Sequence, residues 1–133
     1  MEHQLLTIVT MLALIEFIWL GVRVGSARAR YSVPAPATTG DEMFERHYRV
    51  HYNTLEQLIV FVPALWAFGY YVHLYTAVVL GVIYLAGRVV YALSYVKDPK
   101  GRGLGFLLSA LPVYIMLLGG LAGAIWELVT TQA

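Results

Sequence analysis

The sequence predicts an all-α, integral-membrane four-helix bundle, and three observations predict it. Of 133 residues, 59% are hydrophobic and 13% charged, where soluble domains carry about 25% charged. Mean hydropathy is +0.68, more apolar surface than a chain this short can bury against itself, so lipid is the expected solvent. Four apolar runs, Leu5–Val22, Leu55–Tyr71, Leu74–Tyr95 and Leu104–Val129, reach the roughly 17–25 residues of a membrane span, the second once it is extended into its polar front end.

The whole chain, 1–133, reads as a single transmembrane domain with helices at about 4–30, 41–71, 74–96 and 103–130. The first run lacks the basic leader of a signal peptide, because Met1–Gln4 holds no Lys or Arg and Glu16 interrupts the apolar stretch. It is therefore expected to stay as a spanning helix, with Glu16 lacking any obvious partner and any assigned role. Ser32–Thr38 contains two prolines and forms a stiff, non-helical linker. Thr39 followed by Glu42 reads as a capping box, which starts the second helix near Gly40. From there to Tyr71 is about 30 residues, or roughly 45 Å at 1.5 Å per residue. The hydrocarbon layer is only ~30 Å thick, so this helix is expected to project beyond the membrane.

The connection around Gly69–Tyr75 is tight, and its tyrosines suit an interfacial belt. Val96–Gly103 is a basic turn with helix breakers. Arg23, Arg28 and Arg30 flank the first linker, and Lys97, Lys100 and Arg102 flank the third connection. The positive-inside rule places both on the cytoplasmic side, with both termini opposite. Pro63 and Pro112 fall inside apolar helices and are expected to bend them. Gly119, Gly120 and Gly123 give the last helix a small-residue face for close packing.

Two clusters are chemically rich. Arg49, Asn53 and Glu56 stand at i, i+4 and i+7, so a helix places a cation, an amide and a carboxylate on one face, with Arg46 beside them. Such a face suits a small zwitterionic ligand. Arg88, Tyr91 and Tyr95 form a second face on the third helix, followed by Arg102. The competing reading makes Arg88 and Glu56 a buried structural ion pair, since a charge inside a membrane demands a partner whatever the function. The net charge of +1 offers nothing to nucleic acid, and the absence of Cys excludes disulfides and cysteine metal sites. His51 and His73 have no metal-ligand spacing, and no P-loop, nucleophile elbow or dinucleotide fingerprint occurs.

The run Phe44–Glu56 resembles the signature of the membrane-associated proteins in eicosanoid and glutathione metabolism. The segment Gly81–Tyr84 with Gly87, Arg88, Tyr91, Tyr95 and Arg102 is similar to a second signature of that family. Ser26-Ala27-Arg28 and the linker ending Thr38-Thr39-Gly40 resemble its microsomal glutathione transferase and leukotriene C synthase branch. The resemblance covers about Val22 to Gly120. It implies four transmembrane helices per subunit, a homotrimer, and glutathione as co-substrate bound between subunits near the cytosolic face. It implies that Arg49, Asn53, Glu56, Tyr91 and Tyr95 hold glutathione, that Arg28 and His51 assist, and that Arg102 stabilises the thiolate. Gln57 stands where the synthase has a ligand-contacting tyrosine. Ala29 replaces a second arginine, although Arg30 is adjacent. These departures weaken leukotriene synthesis in particular and leave the Arg49/Asn53/Glu56 set whole.

The expected activity is conjugation of glutathione to lipophilic electrophiles arriving from the bilayer, or glutathione-dependent reduction of lipid hydroperoxides. The rival is a non-catalytic lipid-binding scaffold of the lipoxygenase-activating type. Bacterial inner membrane and endoplasmic reticulum both suit the sequence.

Overall fold

The computed structural model describes residues 2–132, Glu2 by its main chain alone. Four long helices, α1 Glu2–Arg30, α2 Glu42–Tyr71, α3 Leu74–Lys97 and α4 Gly103–Thr131, follow one another, with a short 3-10 turn, Pro99–Arg102, before the last. The buried positions recur at helical spacing: Leu6, Val9, Ala13 and Leu20 on α1, then Phe44, Thr54, Leu58, Phe61, Leu65 and Phe68 on α2. On α3 the series is Ala77, Gly81, Tyr84, Arg88 and Tyr91, and on α4 it is Gly105, Ser109, Val113, Met116 and Gly120. Each helix therefore turns one stripe inward. The main core forms where Leu6, Val9 and Ala13 meet Leu58, Phe61, Leu65, Tyr84, Val113 and Met116.

Three of the helices, α1, α3 and α4, are apolar enough to cross a membrane along their length. The second is not, because its charges gather in its first half. It packs against all three others, and part of its polar face, at Arg49 and Glu56, stays exposed. The outward rows of α1, α3 and α4, among them Ile15, Ile18, Val79, Leu93, Leu118 and Leu121, are apolar and exposed, which is the surface lipid solvates. The protein is an integral-membrane helical bundle.

The start of α2 differs from the capping-box expectation. Gly40 has φ +133, a conformation open to glycine. The chain bends there, and Asp41, in extended conformation, caps the helix by accepting from the Phe44 amide at 2.9 Å. A carboxylate also complements the positive end of the helix dipole better than Thr39 can. Both Pro63 and Pro112 lie inside helices that continue through them.

Glycines set how closely α4 approaches its neighbours. A Cβ on Gly105 would stand 2.3 Å from the Tyr91 nitrogen, and one on Gly87 would stand 2.7 Å from the Leu108 carbonyl carbon and the Ser109 nitrogen. Backbone meets backbone there, and no side chain can yield. Gly119, Gly120 and Gly123 abut Phe68, Ala67 and Tyr71 of α2. The small-residue face read from the sequence thus packs α4 on α2 within the chain, while the tightest contact, at Gly105, lies between α4 and α3.

Candidate functional site

Arg88 organises the interior end of the site. It is wholly buried. Its Nη2 donates to Asn53 Oδ1 at 3.0 Å and to Thr54 Oγ1 at 2.7 Å, and its Nη1 donates to Ser109 Oγ at 3.4 Å. Its guanidinium also lies over the Tyr91 ring, 4.2 Å from the centroid. One side chain of α3 is therefore bonded to α2 and α4 at once. The ion pair with Glu56 offered by the sequence does not form. Neutral acceptors take its protons, and Glu56 turns outward to Arg49, at 3.7 Å, and to the Asn53 amide, at 3.4 Å.

Asn53 links the interior to the opening. Its oxygen is taken by Arg88 and its NH2 faces Glu56. Arg49 and Glu56 are each about half-exposed, at 52% and 46%, so their charges remain available to a ligand. Tyr91 and Tyr95 lie ring to ring, 5.5 Å apart. Arg102 closes the far side, with Nη1 donating to Pro99 O at 2.8 Å. Arg49, Asn53, Tyr91, Tyr95, Arg102 and Phe106 together line a cleft of about 490 Å³. Five of these six were expected from the sequence, and the cleft brings them together. Phe106, Thr54 and Ser109 were not. Ser109, two helical turns beyond Arg102, was a polar residue in an otherwise apolar run, which is the signal that marks it as a partner for a buried charge.

Other expected residues stand elsewhere. Arg46 donates to Val96 O and Lys97 O at 3.0 and 3.1 Å. It caps the last carbonyls of α3 and ties the projecting part of α2 to that helix end. Arg28 donates to Ala37 O at 2.7 Å and Val33 O at 3.3 Å, and its guanidinium covers the Phe44 ring. It holds the proline linker in place. His51 stacks on Phe17 at 4.4 Å and faces Gly21. Two residues along a helix is about 200° of rotation, so His51 lies on the opposite side of α2 from Arg49 and Asn53. Within one chain, Arg28 and His51 do not reach the cleft.

Glu16 does face the interior. Its Oε1 is buried without a hydrogen-bond partner, as are Tyr84 Oη and Arg88 Nε. On α2, which is not one of the three apolar spans, His47 is held below the ordinary imidazole value of 6.5, first by burial and then by the positive charge of Arg23. Among the described residues no group of His, Asp and Glu has metal-binding geometry.

The MAPEG family model matches residues 6–122. The chain belongs to the MAPEG family. Human microsomal glutathione S-transferase 2 is 36% identical over 118 residues, covering 88% of this chain and 80% of that protein. Bovine leukotriene C4 synthase is 32% identical over 116 residues, covering 87% and 77%. A Synechocystis protein of uncharacterised function is 45% identical over 121 residues, covering 91% and 88%. Nearly the whole of this MAPEG chain, cleft included, therefore lies inside the shared region.

Proposed function

We propose that this protein is a membrane glutathione transferase that joins glutathione to lipophilic electrophiles. The observation that carries the reading is the convergence of Arg49, Asn53, Tyr91, Tyr95 and Arg102, from α2, α3 and the 3-10 turn, on one cleft. Similarity to the human transferase and the bovine synthase supports it. Glutathione presents two carboxylates, an ammonium and a thiol. Arg49 and the tyrosine hydroxyls suit its carboxylates, Glu56 suits its ammonium, and Asn53 can give one amide proton to its backbone.

Arg102 is assigned to the thiolate. A free thiol has a pKa of about 8.5, and only a few per cent is ionised at neutral pH. Making it a hundredfold more acidic takes ~2.7 kcal/mol of preferential anion stabilisation. An arginine beside the sulfur is a sufficient source, and it stays protonated throughout. The thiolate attacks the electrophilic carbon and a C–S bond forms. The leaving group, such as chloride, departs with its electron pair. The proton released from the thiol goes to water. The same thiolate also suits reduction of lipid hydroperoxides.

Arg28 and His51 lie away from the cleft of their own chain. If they assist in binding, a neighbouring subunit must present them, and a homotrimer with glutathione between subunits meets that need. The active face is assigned to the cytoplasmic side, where the basic connections gather. Replacing Arg102 with Leu should lower kcat with a chlorinated aromatic acceptor about 100-fold and change glutathione affinity only a few-fold. Retained activity would remove Arg102 from its role. A wild-type protein that binds no glutathione would leave the lipid-binding scaffold as the better reading.

A further inference from the structure

A second basic pocket lies on the opposite side of α2. Arg23, Ser26, Ala27 and Arg30 of α1, Tyr31 just past its end, and His47 of α2 line about 160 Å³. Arg23, Ser26, Ala27 and Arg30 stand at i, i+3, i+4 and i+7, so one face of α1 supplies both guanidinium groups. Neither has an acidic partner. The ion pairs among the described residues are Arg46 with Glu42 and Arg49 with Glu56. Arg23 Nη1 is fully buried and makes no hydrogen bond. Its guanidinium stacks 5.1 Å over the Trp19 ring, and that of Arg30 lies 5.7 Å from the Tyr31 ring. An arginine that served only to orient the helix would extend to water. This one lies over an indole, and one of its buried nitrogens is left without a partner.

An unpaired buried donor on a cation implies an anion. The depth of the pocket indicates which. Arg23 directly follows the apolar run ending at Val22, and Trp19 lies one turn further in, at the level where aromatic belts and lipid headgroups meet. Basic pockets between membrane helices bind phosphate-bearing headgroups at this level. We propose that Arg23, Arg30, Ser26 and His47 form a binding site for a phosphate group, carried at this depth by an anionic phospholipid headgroup. The two guanidinium forks supply charge-assisted bonds to its oxygens, and the Ser26 hydroxyl and His47 ring supply neutral ones. His47 and Arg49 are about 200° apart around α2, so the pocket is separate from the glutathione cleft of its own chain. The proposal does not depend on the glutathione reading.

The test measures thermal unfolding of the full-length protein purified in a zwitterionic or uncharged detergent. It is titrated with short-chain phosphatidylglycerol, with phosphatidylcholine of equal chain length, and with inorganic phosphate. The wild type should gain about 5 °C or more in Tm with phosphatidylglycerol, and much less with phosphatidylcholine. The Arg23→Gln variant and the Arg23→Gln/Arg30→Gln double variant should lose the gain, and Arg23→Lys should recover part of it. A gain reproduced by inorganic phosphate alone, and lost in the same variants, supports the site with a soluble occupant. Equal gains in wild type and variants overturn the proposal. So does a rise in glutathione KM in the Arg23→Gln variant, because the pocket would then belong to a neighbour's glutathione site. Should the double variant fold poorly, Arg23→Gln alone, with native mass spectrometry of retained lipid, gives the same decision: loss of retained phosphatidylglycerol supports the site, and unchanged retention refutes it.

Discussion

Arg88 makes all of its side-chain hydrogen bonds to neutral groups, Asn53, Thr54 and Ser109. A charge at this depth is costly, by roughly 2.5–3.5 kcal/mol on insertion scales, and it is retained where it fixes its neighbours. Asn53 is one of those neighbours, and its NH2 donates to Glu56 at the cleft edge. Lysine at position 88 would keep the charge, but it presents one nitrogen where the guanidinium presents several, and it cannot stack flat on Tyr91. Arg88→Lys should raise the glutathione dissociation constant about tenfold and leave the pH dependence of thiolate formation in place, because Arg102 is untouched. Isothermal titration in detergent, with thiolate absorbance followed across pH, separates the two. An unchanged affinity would mean that the orientation of Asn53 does not matter to the ligand.

Helix α4 is positioned by what it lacks. Gly105 lets its first turn lie against the Tyr91 backbone, and this brings the preceding Arg102 beside Tyr91 and Tyr95. A methyl group at Gly105 would meet backbone atoms at 2.3 and 2.4 Å, so the helices must part. Gly105→Ala should destabilise by about 1–3 kcal/mol and lower conjugation by more than the loss of folded protein explains. Gly103, two residues earlier, has open space around its Cβ direction. Gly103→Ala should be neutral or slightly stabilising, since alanine is the better helix former by about 1 kcal/mol. Thermal unfolding and specific activity of the two variants, measured side by side, check this. Equal behaviour would remove the close contact as the cause.

Across the whole molecule, α2 has two chemical faces. Arg49 and Asn53, with Glu56 bonded to both, open on the cleft with α3 and α4, and His47 and His51 face α1. If a glutathione site combines the first face of one subunit with His51 of the next, two defective chains can repair one another. His51→Ala keeps an intact cleft and Arg49→Ala keeps an intact His51. Co-expressed and purified as mixed oligomers, they should show more activity than the sum of the separate preparations. Strict additivity would place each site within a single chain.

Much of this was legible before folding. The four helices follow from apolar runs with proline and glycine between them, and the Arg49/Asn53/Glu56 face follows from helical spacing, because a helix fixes the angle between residues of one segment. The same logic misjudged the start of α2, where Asp41 and the backbone of Gly40 outcompete the Thr39 box. The competing reading, an Arg88–Glu56 ion pair, rested on charge alone, and the depth of Arg88 in the bundle delivers it to Asn53, Thr54 and Ser109 instead. Arg46 looked like a ligand-binding residue and proves to cap α3.

By itself the sequence determined the membrane setting, the helix order and the residue types of the cleft, all of which depend on composition and on separations along one segment. The tertiary structure decided which of the polar residues share a space. It placed Arg102 with Tyr91, sent Arg28 and His51 to the other side of α2, and left Arg23 with an open N–H. Those outcomes depend on the rotation and approach of one helix against another. The approach of α3 and α4 is set by the two backbones that touch at Gly87 and Gly105, and no local pattern in either helix encodes that distance.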